Sequence, residues 1–307
     1  MALSIEAPAK INVVLKVIGR RHDEYHNLFS IMVPIDLCDT IHISRGGKGI
    51  HLECKGREIP TDKENLIWRA CEEFFSQIGC HPEVSLSVEK KIPVAAGLGG
   101  GSSDAASTLV GLNKMYGNPL DQAKLHRIAR ALGADVPFFL SPCPSVATGI
   151  GDVLEAIENW PRFWYVIVTP PIAISTAWAY GNIKLELTQA VDNYIVKLRE
   201  VQYRDITMFL ENDLETVVFS RYPQVAELKK LMLRLGAQGA VMSGSGPSVV
   251  GLFMEREKAA QAVDVIVGSK VGEVFLTTLW QKHANRENNP VESGERSSLL
   301  KQLVSGV

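Results

Sequence analysis

The sequence predicts an α+β chain built from two domains, and three observations carry that expectation. A β-branched run fills Lys10 to Val17, a glycine-rich stretch at 97–103 opens into a helical pattern, and strand and helix patterns restart after about residue 160. Lys10 to Val17 reads as a strand, followed by a charged turn at 19–28 and an apolar run from Phe29 to Leu37. Thr40 to Ser44 reads as a further strand ended by the turn GGKG at 46–49. Leu66, Ile67, Ala70, Phe74 and Ile78 recur at helical spacing across 65–78, and Val84 to Glu89 alternates as a strand does. Ala105, Leu109, Leu112 and Met115 place a helix behind the glycines, and a second helix over 120–132 stops at Gly133. The boundary falls near 159–162, where FWYVIVTP at 163–170 begins a buried strand. Helices follow near 184–200 and 223–235, then the turn SGSGPS at 243–248, the strand VVGLF, a helix over 256–268 and a last strand over 272–280. From His283 onward the composition is that of a polar tail.

Composition narrows the class of function. The 307 residues are 46% hydrophobic and 21% charged, enough to build a sizeable core. The 32 basic and 34 acidic residues leave a net charge of -2 without a long basic run, which argues against a nucleic-acid surface. Five cysteines without a CxxC pair suggest neither a disulfide framework nor a zinc thiolate site. The expectation is a cytoplasmic protein without a membrane segment, acting on a small molecule.

The stretch GLGGGSS at 97–103 is the strongest chemical signal. Four glycines leave backbone N–H groups uncrowded, and the helix that follows offers unpaired N–H groups and the positive end of its dipole. That combination is a phosphate cradle, although a plain turn with an N-cap serine has the same composition. The dinucleotide fingerprint fails on spacing, since Ser102 or Asp104 falls where its third glycine belongs. A P-loop fails as well, because the loop lacks lysine.

Three separated blocks, PAKINVVLKV at 8–17, PVAAGLGGGSSDAAS at 93–107 and MSGSGPSVVGLF at 242–253, resemble the GHMP kinase superfamily. Within it, GRRHDEYHNL at 19–28, LGADVPFFL at 132–140 and NDLE at 212–215 resemble the branch that phosphorylates the 2-hydroxyl of 4-diphosphocytidyl-2-C-methyl-D-erythritol (CDP-methylerythritol). The resemblance spans about residues 5 to 282. It implies an N-terminal domain like domain 2 of ribosomal protein S5 over 1–160, a ferredoxin-like α+β domain over 161–282, and a tail over 283–307. Substrate and ATP would lie in the cleft between the domains.

From the residues alone, Asp135 reads as a helix cap and Lys10 as a surface lysine; the resemblance gives both a catalytic task. Asp135 would orient the acceptor hydroxyl and take its proton, with Lys10 offsetting charge on the phosphoryl oxygens. Asn12, on the same side of the strand as Lys10, would reach the same ligand. Tyr25 and His26 would read cytosine by stacking and edge hydrogen bonds, Tyr180 would supply the second aromatic face, and Thr176 and Asp23 would assist. Pro93, Gly97, Leu98, Gly99, Gly100, Gly101, Ser102 and Ser103 would hold ATP, with Asn65 near the adenine. Gly244, Ser245 and Gly246 would close the cleft. Mg²⁺ would accompany the nucleotide, with no protein ligand assigned to it; Asp104 is explained as a first-turn acid. Two departures from the family pattern stand in the substrate loop, Glu24 for a glycine and His22 for a proline. The implied partners are CDP-methylerythritol and ATP, with the protein a monomer or weak homodimer. A kinase of another small alcohol would leave Tyr25, His26 and Tyr180 without a task, and a non-catalytic regulator would not need Lys10 and Asp135.

Overall fold

In a computed structural model, residues 2–23, 25–183 and 205–281 are described. Two sheets organise them. The first has the order β3-β4-β2-β1-β8, with β5 and β6 continuing from β2. Its strands are β1 (Ala2–Arg20), β2 (His26–Arg45), β3 (Gly49–Lys55), β4 (Glu83–Glu89), β5 (Ser145–Thr148), β6 (Val153–Ala156) and β8 (Glu211–Asn212). The second sheet joins β7 (Trp164–Thr169), β9 (Gly239–Met242), β10 (Val249–Phe253) and β11 (Glu273–Thr277) in the order β11-β7-β10-β9, all antiparallel. Numbered within that sheet the order is fourth, first, third, second, and helices Pro223–Arg234 and Arg256–Gly268 are interspersed as in a ferredoxin-like unit.

β1 is buried from Ala7 to Leu15 without alternation. A central strand lying between β2 and β8 with both faces covered reads as a continuous apolar run, which is why the sequence signal was strongest there. Both sheets contribute to one core, in which Ile11, Phe29, Ile31 and Val33 pack with Tyr165, Ile167, Val250 and Leu252. The chain then returns to the first sheet: Asp36 N–H donates to the Thr278 carbonyl (2.9 Å) and Trp280 N–H to the Pro34 carbonyl (3.0 Å).

Several local expectations need correction. Phe29–Leu37 and Thr40–Ser44 belong to a single strand, β2. Pro8 faces Cys38 whereas Ala9 faces Ile35, so β2 bulges around Asp36 and Leu37 and its apolar phase breaks there. The charged turn is shorter than expected, because β1 runs to Arg20 and β2 starts at His26. Of the helices α1 (Leu66–Ile78), α2 (Gly100–Met115) and α3 (Gln122–Leu132), α2 starts inside the glycine run, so Gly100 to Ser103 form its first turn rather than a loop. The helix α5 (Thr176–Asn182) was not anticipated. The expected helix near 184–200 lies outside the described residues, as do Glu24 and the tail from His283. Among the described residues no helix is long and apolar enough to cross a membrane.

Candidate active site

A cavity of about 1290 Å³ lies over β1 and β2 and is lined further by helix ends and turns from both halves of the chain. β1 delivers Lys10 and Asn12, the α2 N-terminus delivers the glycines, and the segment before α4 (Val136–Leu140) delivers Asp135. α5 supplies Thr176 and Tyr180, and the turn between β9 and β10 supplies Gly244 and Ser245. Asp23, Tyr25, His26, Asn65 and Pro93 also line it, with Gly97, Gly99, Gly100, Gly101 and Ser102. Three expected residues do not. Leu98 is a core side chain, Ser103 is fully buried under the first turn of α2, and Gly246 lies behind Ser245 at the turn's far end.

Lys10 is only 4% exposed. Its ammonium donates to Asn12 Oδ1 (2.5 Å) and stands 3.4 Å from Asp135 Oδ2. Asn12 in turn donates to Ser30 Oγ (2.8 Å), and Ser30 to the Val14 carbonyl (2.7 Å), so the pair is fixed within the sheet. Asp135 occupies an N-cap position without making a side-chain cap bond. Its carboxylate is therefore uncommitted to the helix and faces the cavity beside a cation.

The glycine stretch owes its shape to close approaches. Gly97 has φ +76°, and a Cβ there would lie 2.1 Å from the Ser243 carbonyl oxygen. Gly99, at φ +69°, would meet Phe139 Cζ at 2.9 Å and Lys10 Cγ at 3.0 Å. The first intrahelical bond of α2 runs from Ser103 N–H to the Gly99 carbonyl (2.9 Å), which leaves the N–H groups of Gly100, Gly101 and Ser102 ahead of the helix ladder. Gly97→Ala is expected to destabilise the fold by about 1–3 kcal/mol and to raise the KM for nucleotide, read by chemical denaturation and initial rates.

Beneath this turn lies a buried ionic cluster that sequence reasoning missed. Lys90 donates to Asp39 and to Asp104 Oδ2 (2.6 Å), with all three side chains at most 3% exposed. Asp39 Oδ1 also accepts from the N–H groups of Lys91 (2.6 Å) and Ile92 (2.9 Å) at the entry to the glycine stretch. A Cβ on Gly100 would come within 3.0 Å of Lys90 Nζ. Burial, with Asp39 alongside, pushes the Asp104 carboxyl up to about 7 against the opposing pull of Lys90, while the two carboxylates hold Lys90 above its ordinary value despite burial. Asp104 is thus not a first-turn acid as expected: α2 starts at Gly100, which puts Asp104 beyond the first turn and buried, and its pairing with Lys90 had no signal in local spacing.

At the other end, His26 stacks on Tyr180 with centroids 5.5 Å apart and planes at 28°. Tyr25 is 57% exposed on the rim. Burial, with Arg20 second, lowers the His26 pKa and favours neutral imidazole; burial, with Asp135 second, raises that of the Tyr180 phenol. Asp23 is held by Arg21 (3.0 Å), which lowers its carboxyl pKa. Asn65 lines the cavity, but its amide is engaged at both ends: Oδ1 caps Ile67 N–H (2.8 Å) and Nδ2 donates to the Pro60 carbonyl (2.6 Å). Thr176 Oγ1 and Ser245 Oγ are hydrogen-bonded at 2.9 Å.

Residues 65–142 match the family described as GHMP kinases N terminal domain, and 201–270 match GHMP kinases C terminal. The chain is 45% identical over 262 residues to the 4-diphosphocytidyl-2-C-methyl-D-erythritol kinase of Syntrophotalea carbinolica, covering 85% of this chain and 93% of that protein. It is 43% identical over 265 residues to the enzyme of the same name from Geobacter sulfurreducens, covering 86% and 94%. A crystal structure of 4-(cytidine 5'-diphospho)-2C-methyl-D-erythritol kinase superposes with a TM-score of 0.76 at 32% identity, over 91% of this chain and all (100%) of that one. Homoserine kinase from Cytophaga hutchinsonii shares the fold at a TM-score of 0.73 and 20% identity, over 91% of this chain and 95% of that one.

Proposed function

The chain belongs to the 4-diphosphocytidyl-2-C-methyl-D-erythritol kinase family of GHMP kinases and is an ATP-dependent kinase, and from that premise we propose that it transfers the γ-phosphoryl group of ATP to the 2-hydroxyl of CDP-methylerythritol. The products are ADP and the 2-phosphate, a step in isoprenoid precursor synthesis in the cytoplasm. The observation that carries the reading is Lys10 and Asp135, 3.4 Å apart, placed in one cavity with the α2 N-terminus on one side and the His26–Tyr180 stack on another.

The free N–H groups of Gly100, Gly101 and Ser102 receive phosphate oxygens, with Pro93 and Gly97 shaping the approach. Asn65, committed to capping, contributes shape at the adenine end. Asp135 accepts a hydrogen bond from the acceptor hydroxyl, aligns its oxygen with the γ-phosphorus and takes the proton as the new O–P bond forms. In a loose transition state that proton leaves late, so the reaction does not demand a strong base. Lys10, fixed by Asn12, faces the charge on the transferring oxygens from a site with little water. Thr176, Ser245 and Gly244 border the acceptor. Neutral His26 offers one donor and one acceptor to a pyrimidine edge, and Tyr25 and Tyr180 offer ring faces, with Asp23 bracing the loop through Arg21.

Mg²⁺ enters with the nucleotide in this reading. Mg²⁺ that accompanies a nucleotide is commonly ligated by phosphate oxygens, water and one or two carboxylates. Among the described residues Ser103 Oγ and Asp104 Oδ1 are buried polar atoms without a hydrogen-bond partner beside the cradle, so oxygen capacity is available there. When bound, the ion offsets charge on the β and γ phosphates.

The test is an ATP-dependent phosphorylation assay comparing CDP-methylerythritol with methylerythritol, mevalonate and homoserine. Turnover of the CDP compound alone supports the reading; turnover of another alcohol instead overturns the substrate. Tyr180→Ala is expected to raise the KM for the cytidine substrate by about tenfold and leave that for ATP within twofold, in keeping with the loss of one aromatic stacking face.

A further inference from the structure

The segment Asn212–Glu215 has family likeness but no task in the site described so far. We infer that Asn212 is a positioning residue, holding the turn Ser243–Ser245 in register with β1 so that the acceptor meets Asp135. The inference rests on the proposed kinase reading. Asn212 is 2% exposed, and its amide is fully engaged. Nδ2 donates to the carbonyls of Met242 and Gly244, both at 2.7 Å, and Oδ1 accepts from Leu214 N–H at 2.9 Å. Glu215 adds a bond from Met242 N–H to its Oε1 (2.8 Å) and is itself held by Lys229 (2.6 Å).

The same segment is keyed to β1. Leu15 faces Asn212 in parallel register, Asp213 N–H donates to the Leu15 carbonyl (2.9 Å), and Asp213 Oδ2 accepts from Val17 N–H (2.7 Å). The turn so fixed touches three parts of the site. Ser243 Oγ accepts from Asn12 N–H (3.1 Å) and donates to the Gly97 carbonyl (2.9 Å), and Ser245 meets Thr176. One amide therefore ties the strand carrying Lys10 and Asn12 to the turn carrying Gly244 and Ser245. Without its two N–H donors, two buried carbonyls lose their partners and the turn can rotate away from the acceptor. The glycine stretch keeps anchors of its own, Lys10 N–H to the Leu98 carbonyl (2.9 Å) among them.

Asn212→Asp keeps the size of the side chain while presenting oxygens to both carbonyls. The expected result is a rise of about tenfold or more in the KM for the acceptor alcohol, with the KM for ATP within twofold. Because KM does not depend on the folded fraction, a merely structural role would leave both values unchanged. Val218→Ala, a core truncation in the helix Glu215–Arg221, is the control: a lower melting temperature with both KM values kept. Should Asn212→Asp not accumulate folded, Asn212→Ser is read the same way, with a rise of about threefold or more expected from retaining one donor. The wild type is assayed first, and the split is measured on whichever alcohol it phosphorylates, so an error in substrate does not mask the result. Equal KM values for variant and wild type, or parallel changes for both substrates, overturn the inference.

Discussion

Asp135→Asn is expected to lower kcat by about 10²-fold or more while lowering the free energy of unfolding by only about 1–2 kcal/mol, the cost of leaving Lys10 with a neutral partner. The split follows from how the carboxylate is held. It makes no cap bond and is 38% exposed, so the fold gains little from it, and Asn has the same shape. What Asn lacks is a charge to accept the acceptor's proton and to face Lys10. The ammonium would then stand buried with Asn12 Oδ1 alone, its charge no longer balanced by the carboxylate. Initial rates at saturating ATP and acceptor, with a denaturation curve on the same preparation, check both halves. A kcat within threefold of wild type would remove Asp135 from the mechanism.

Lys90→Met is expected to cost about 3–5 kcal/mol, because it leaves Asp39 and Asp104 facing each other in the interior with no cation. Asp39 retains its bonds from the Lys91 and Ile92 N–H groups, so the strain should fall on Asp104 and, through it, on the first turns of α2. Adding Asp104→Asn to Lys90→Met should recover part of the loss, and a double-mutant cycle in urea measures the coupling. An additive cycle would show that the cluster is not a unit.

The sign of a pH effect follows from the same place. A carboxyl raised from 3.8 to about 7 holds its proton in the folded state where the unfolded chain has lost it. Its contribution to stability is fully present below about 3.8 and declines as pH rises through about 7. Asp104→Asn should therefore lessen the decline in unfolding free energy over that interval relative to wild type.

How legible all this was depended on sequence distance. Lys10 and Asn12 sit two apart on one strand face, and the glycines adjoin their helix, so local geometry predicts their convergence. The helix at 66–78 was legible for the same reason, but the capping role of Asn65 was not read from the sequence. The partners Asp39 and Lys90 are 51 residues apart, and Asn12 and Ser243 are 231 apart, distances at which neither period nor spacing carries a signal. Asp39 was further hidden by the bulge in β2, which divided one strand into two apparent ones. The motif at 212–215 was visible as a resemblance, but its task required seeing which carbonyls the amide meets.

The bonds from Asp36 to Thr278 and from Trp280 to Pro34, with Phe275 and Leu279 packed on the shared core, set an order for biosynthesis. A ribosome releases β2 some 240 residues before residues 278–280, which bond back to it, and the apolar face of Ile11, Phe29 and Val33 must wait for Tyr165, Val250 and Leu252. For most of translation the nascent chain carries an unfinished apolar surface open to non-native contacts, which closes once residues 278–280 emerge.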